Sequence, residues 1–363
     1  VAENGGTCQM SKWLSRSTFG IPVWSKLGRR DFFLQHAAVA LLGGALPLAG
    51  NQAIAADGNA ANDGSLYARL KATSLMILVD GQQRGSGTLI HADGFAITAA
   101  HVIIQKGKRI EVVSASAERL GAEVVAVDLG HDLALLRLPA REGGYPFLPL
   151  AEKLPALGTD AFYLGTPVPM QRPVWLRAMV SGEGIAFTHF RDIGYISVMT
   201  LAASMPRGSS GGAFVDGRGA LLGILVGGTM QNDAPAGFLY ASPSEAIRKL
   251  LTSRQNAATP LLGMILSELW RQHPNYHRLF PAEIEGLFVT TITQNAPAAR
   301  AGVKEWDLVI EAEGQRVATV NGFFSILRSK KPNESLTIGL LEPGASTKRN
   351  VTITLGLMEA SWR

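Results

Sequence analysis

Three residues of this chain are of the types that nucleophilic acyl transfer requires, and they lie far apart in sequence: His101, Asp132 and Ser210. A serine hydroxyl is a poor nucleophile at neutral pH. It needs a general base beside it and a carboxylate that orients the base. It also needs backbone N–H groups converging on the oxyanion that develops during attack.

Each candidate is weak alone. Ser210 sits in Arg207-Gly208-Ser209-Ser210-Gly211-Gly212, a string that could equally be a flexible linker. Its flanks, however, are apolar and strand-forming, and the glycines would let the N–H groups of Gly208 and Ser210 converge on one point. His101 follows Ala96-Ile97-Thr98-Ala99-Ala100, a strand running into a small-residue turn, where a lone histidine is often only structural. Asp132 opens the apolar run Leu133-Ala134-Leu135-Leu136, an expensive place for a carboxylate without a hydrogen-bonding partner. Their joint occurrence in the order His, Asp, Ser is what carries the reading.

Strands must position these groups. From Met76 to Leu138 the apolar residues come in short runs such as Ile110–Val113 and Glu123–Val127, with Asp-Gly pairs at 80–81 and 93–94 between them. A second set covers Ala161–Gly165, Val174–Glu183, Tyr195–Thr200 and Leu221–Val226 and ends in a helical segment, Pro243–Ser253. Two sets of about six short strands predict two packed β-barrels closed by a helix. Residues 254–260 turn small and polar, as a linker would, and a smaller domain should begin near Leu261.

Thr98-Ala99-Ala100-His101, Asp132-Leu133-Ala134 and Gly208-x-Ser210-Gly211-Gly212 resemble the catalytic segments of the HtrA/Deg serine proteases, and the likeness runs from about Leu70 to Leu357. It implies a mainly β chain, a chymotrypsin-like double β-barrel protease domain at 71–255 followed by a PDZ domain at 260–358. His101, Asp132 and Ser210 would be the triad, Gly208 and Ser210 the oxyanion hole, and no metal or organic cofactor is expected. Departures are Ser209 where the family has Asn, Ala213 where it often has Pro, and Leu201 where it often has Asp. The specificity pocket is expected at Ser204, Met205, Ile224, Leu225, Val226 and Gly227, which offer no carboxylate, so a small or medium apolar side chain should precede the cut. Leu261, Leu262, Gly263 and Met264 resemble a PDZ carboxylate-binding loop and first strand, although this run could also be a plain buried strand. Trp306 replaces the usual Gly before Asp307.

The implied function is a cell-envelope endopeptidase cutting unfolded or misfolded proteins and reading peptide C-termini, working as a homo-oligomer that the resemblance makes a trimer. Two alternatives stand beside it: a chaperone or peptide sensor with minor hydrolysis, and a narrow regulatory protease activated through the PDZ domain.

Composition fits an exported folded protein. The net charge is +5, but residues 1–55 carry five Lys/Arg against two Asp/Glu, so +3 of it lies there and about +2 remains, too little for a nucleic-acid surface. Arg29-Arg30-Asp31-Phe32-Phe33-Leu34, then the apolar run 37–49 and Ala53-Ile54-Ala55, has the order of a twin-arginine export signal, leaving 56–70 as the start of the mature chain. The alternative is an uncleaved membrane tether, although the run is shorter than the about 20 residues that span a bilayer. The one cysteine, Cys8, precedes this signal, so no internal disulfide is expected after cleavage. His131 is expected in an exposed loop and Arg328, Lys330 and Lys331 on a solvated face. His273 and His277 have helical metal-pair spacing, but Pro274 intervenes and no cysteine lies near. The aromatics Trp270, Tyr276 and Phe280 belong to an inserted segment and are expected in a core.

Overall fold

The computed structural model describes residues 63–104, 108–170, 172–187, 196–231 and 234–359. The expected export signal lies outside these residues.

A helix, α1 (Asp63–Thr73), leads into a seven-stranded antiparallel sheet. Its strands are β1 (Ser74–Val79), β2 (Gln82–Leu89), β3 (Phe95–Ala99), β4 (Ile110–Ser114), β5 (Arg119–Gly121), β6 (Glu123–Asp128) and β7 (Leu133–Arg137), with the one-turn helix α2 (Ala100–Ile103) following β3. Their spatial order is β5-β4-β1-β2-β3-β7-β6. At the β1–β2 hairpin both Asp80 and Gly81 have positive φ, 50° and 78°, the mirror-image turn whose twist suits a two-residue hairpin. The Asp216-Gly217 pair behaves differently: Asp216 Oδ1 accepts from the N–H groups of Arg218 and Ala220, and Gly219 takes the positive φ.

The second set of strands closes into a barrel: β8 (Asp160–Gly165), β9 (Val174–Phe187), β10 (Ile196–Ala202), β11 (Ala213–Val215), β12 (Leu221–Gln231) and β13 (Ala234–Pro243), in the order β10-β13-β12-β11-β8-β9. Leu201 is fully buried inside it, among Met199, Phe214 and Leu239. The amphipathic helix α3 (Ser244–Ser253) buries Ala246, Ile247 and Leu250 and stops where Arg254 turns left-handed. Leu66 and Leu70 of α1 are also buried in the core, and Tyr67 meets Trp175 edge-on at 5.8 Å.

The polar linker is bound rather than loose. Asn256 Oδ1 accepts from Val127 N–H and Ala257 N–H donates to the Val127 carbonyl, so the linker runs along the outer side of β6, the last strand of the first sheet.

Beyond it, β14 (Pro260–Leu261) pairs with β21 (Gly356–Leu357), and a six-stranded sheet is built from β15 (Met264–Glu268), β16 (Leu287–Ile292), β17 (Leu308–Ala312), β18 (Gln315–Arg316), β19 (Ser335–Leu341) and β20 (Arg349–Thr354). Three helices accompany these strands: α4 (Pro274–His277), α5 (Pro297–Arg300) and α6 (Val320–Arg328). Thr319 caps α6 through its side-chain oxygen, and Val320, Phe323, Phe324 and Leu327 form its buried face. Of the inserted aromatics, Tyr276 and Phe280 pack on Phe288, while Trp270 is 73% exposed.

Candidate active site

His101 and Asp132 are brought together by strand pairing. Ala99 at the end of β3 lies opposite Leu133 at the start of β7, so the residues just beyond these positions meet. His101 Nδ1 is 2.5 Å from Asp132 Oδ2, and the other carboxylate oxygen accepts from the backbone N–H of His101 at 2.9 Å. The Asp132 carbonyl accepts from Ala100 N–H at 2.9 Å. The fully buried carboxylate is therefore partnered on both oxygens, which answers its desolvation. A short turn, Leu129–His131, delivers Asp132 with φ at +52°, left-handed for a non-glycine residue.

Ser210 comes from the barrel. Gly208 and Gly211 flank it at φ +83° and +88°. A Cβ at Gly208 would lie 2.6 Å from Val168 Cγ2, and one at Gly211 only 1.8 Å from the Ser86 carbonyl oxygen. Both positions thus need glycine for conformation and for space. The turn is sewn to β2: Ser86 N–H donates to the Ser210 carbonyl at 2.7 Å, and Thr98 Oγ1 donates to the Ser86 carbonyl at 2.7 Å. Ser209 turns inward, its hydroxyl donating to the Pro206 carbonyl at 2.7 Å. Below it Tyr163, fully buried, donates its hydroxyl to the Ser209 carbonyl at 2.7 Å, and burial pushes that phenol well above its ordinary pKa. Sequence reasoning missed Tyr163, because an aromatic in a strand carries no mark of what its hydroxyl will meet.

His101 and Ser210 open onto one cavity of about 420 Å³, also lined by Met205, Leu225, Gly227, Met230 and Leu239. Of the expected pocket residues, Met205, Leu225 and Gly227 are in its wall. Ile224 and Val226 are not: they point to the opposite face of β12 and are fully buried in the core shared with the first sheet, as the two-residue period of a strand demands. Ser204 is occupied in accepting from Gly237 N–H at 3.1 Å. Gly228, Thr229 and Pro235 enter the wall instead, from the β12–β13 hairpin.

In the C-terminal unit, Gly263 has φ +76°, and a Cβ there would lie 2.1 Å from that of Ala296. Leu262 and Met264 are buried, and Leu261 pairs with Gly356. His273 Nδ1 accepts from Asn275 N–H as the cap of α4. Trp306 holds φ +78° in the turn before Asp307 and meets Tyr276 edge-on, so this turn is left-handed at a non-glycine residue.

Two further expectations fail, beside those for Trp270 and for Ser204, Ile224 and Val226. His131 is not an exposed loop residue, since its side chain is 22% exposed and Nδ1 lies 2.8 Å from Asp128 Oδ2. Arg328 is not on a solvated face: it reaches the Gly130 carbonyl and His131. Lys330 pairs with Glu313 at 2.7 Å.

Residues 85–224 match the trypsin-like peptidase domain family. Among curated relatives, serine protease HTRA4 of Mus musculus is 30% identical over 289 residues, which is 74% of this chain and 56% of the relative. A periplasmic serine endoprotease of Chlamydia trachomatis, named as DegP-like, is 25% identical over 276 residues, 75% of this chain and 54% of the relative. Of solved structures, the HtrA-type protease AlgW with a decapeptide superposes with a TM-score of 0.60 at 19% identity, covering 82% of this chain and 98% of that one. The serine endoprotease from Yersinia pestis gives 0.58 at 21%, with the same coverage. At those identities the structural likeness is one of fold. Fold and site together have the arrangement of a trypsin-like peptidase domain. More narrowly, the relatives and the solved structures that the chain resembles are HtrA-type serine proteases. The chain spans about half the length of the curated relatives it matches.

Proposed function

We propose that this chain is a serine endopeptidase of the cell envelope that cleaves unfolded or misfolded polypeptides through an acyl-enzyme. The observation that carries the reading is the buried Asp132 carboxylate bonded to both the ring and the backbone of His101, with His101 and Ser210 lining one cavity. In this reading Asp132 fixes the tautomer with the proton on Nδ1, which leaves Nε2 free to accept. Ser210 Oγ attacks the scissile carbonyl while His101 takes its proton, and the N–H groups of Gly208 and Ser210 hold the oxyanion. The imidazolium then protonates the leaving amine, and water, activated by the same base, releases the acid product and restores the hydroxyl. The apolar wall formed by Met205, Leu225 and Leu239 suits a small or medium apolar side chain before the cut.

We further assign 71–255 to the protease domain and 260–358 to a PDZ domain, preceded by an export signal within 1–55 and a short mature N-terminal segment at 56–70. Supporting the PDZ reading, β15 is the terminal strand of its sheet, so its outer edge is open to an added peptide strand, and the glycine turn at 261–264 precedes it. The periplasmic name of the chlamydial relative supports an envelope location. A homo-oligomer, by family resemblance a trimer, completes the reading.

The test is digestion of casein by the full chain. Ser210→Ala should abolish it together with labelling by a fluorophosphonate; a Ser210→Ala variant that still digests casein refutes the assigned nucleophile.

A further inference from the structure

The turn that delivers Asp132 is held from outside its own sheet. Arg328, the last residue of α6, donates from Nη2 to the Gly130 carbonyl at 2.6 Å and places Nη1 3.2 Å from His131 Nε2. A guanidinium can only donate, so His131 Nε2 must accept and the ring proton must sit on Nδ1. That nitrogen faces Asp128 Oδ2 at 2.8 Å. Arg328, the neutral His131 ring and Asp128 thus form one chain of bonds across the turn. Burial pushes the Asp128 carboxyl up, but the hydrogen bond from the His131 ring and the nearby Arg328 charge act against it, and the group is held below its ordinary range.

Other elements close in on the same turn. Ser242 of β13 donates its hydroxyl to the His131 carbonyl. A Cβ at Gly130 would lie 2.9 Å from Thr259 Oγ1 of the linker. Such support has a reason. Asp132 is a non-glycine residue at φ +52°, a conformation that persists only where the surroundings over-determine it. The short bond it must make to His101 leaves little room for drift.

We propose that Arg328, from the C-terminal unit, is a positioning residue for peptide hydrolysis: through the Gly130 carbonyl and the His131 ring it holds the turn that presents Asp132 to His101. Arg328 lines no part of the active-site cavity and acts only through that turn. The proposal rests on His101 and Asp132 working as assigned above.

The experiment compares the full chain with Arg328→Met, Arg328→Lys, His131→Ala and the Arg328→Met/His131→Ala double variant, using a short chromogenic peptide. Arg328→Met removes a charge-assisted bond, so kcat should fall about tenfold with KM almost unchanged, and the rate of fluorophosphonate labelling at Ser210 should fall in parallel. Arg328→Lys, which keeps a donor, should recover part of the loss. The double variant should lose less than the product of the two single effects, since both act on one turn. A folded Arg328→Met with kcat within about twofold of the parent, or a raised kcat, overturns the proposal. So does a lowered Tm with unchanged turnover per labelled site, which would make the contact structural only. Should the unmodified chain neither label at Ser210 nor turn over, the peptidase reading itself falls, a result distinct from a failure confined to Arg328.

Discussion

Gly211→Ala tests how the turn that carries Ser210 is held. The new Cβ would lie 1.8 Å from the Ser86 carbonyl oxygen and 2.6 Å from Thr98 Oγ1, whereas real Cβ atoms essentially never approach within 3.0 Å, so the carbonyl must retreat by at least 3.0 − 1.8 = 1.2 Å. The obstacle is backbone, so no rotamer change relieves it. The retreat breaks or bends the Thr98 hydroxyl bond to Ser86 and pulls on the Ser86 N–H bond to the Ser210 carbonyl. Two weakened buried bonds at about 1–1.5 kcal/mol each, plus about 1–2 kcal/mol for a side chain at φ +88°, sum to roughly 3–5 kcal/mol. Urea unfolding should register that loss, and the fluorophosphonate labelling rate at Ser210 should collapse under conditions where the variant is still folded. Gly217→Ala is the control: its Cβ meets nothing within 4 Å, and stability should hold within about 0.5 kcal/mol. A Gly211→Ala chain that unfolds within about 1 kcal/mol of the parent and labels at the parent rate would refute the claim that the approach of Ser86 sets this turn.

The remaining expectations concern specificity and acid stability. Peptide mapping of digested casein should place most cuts after small or medium apolar residues; cuts chiefly after Lys or Arg would contradict the cavity wall. Hydrogen bonds from Arg119 and Arg109 hold the Glu111 carboxyl down at about 2, against an ordinary value of 4.5, with burial opposing. A depressed carboxyl stabilises the fold above its unfolded value and loses that contribution as pH falls, here between about 4.5 and 2. Glu111→Gln should therefore show a shallower fall in Tm across that window than the parent, and identical slopes would count against the pairing.

That His101 meets Asp132 and shares a cavity with Ser210 was legible because each sits in a short segment whose backbone needs are written locally: small residues before His101, an apolar strand after Asp132, glycines around Ser210. The apolar runs likewise placed both sheets, since strand period and turn chemistry are short-range properties. The pocket was half legible. Strict alternation along β12 separates Leu225 and Gly227 from Ile224 and Val226, and applying that period would have sorted them. Leu201, conspicuous as a departure, is explained by its place inside the barrel among Met199 and Phe214. Tyr163, His131 and Arg328 were illegible for a different reason. Their roles lie in contacts between segments remote in sequence, and nothing in the neighbours of a phenol or a guanidinium says which distant carbonyl it will reach.

The linker along β6 has a consequence for how this chain can be cut. β6 ends its sheet, and an uncovered terminal strand offers unpaired N–H and C=O groups to other chains. Asn256 and Ala257 occupy that edge at Val127. A fragment stopped at residue 255 would remove this cover and leave a sheet margin prone to edge-to-edge association, so residues 256–257 serve the first sheet as a built-in guard against self-aggregation.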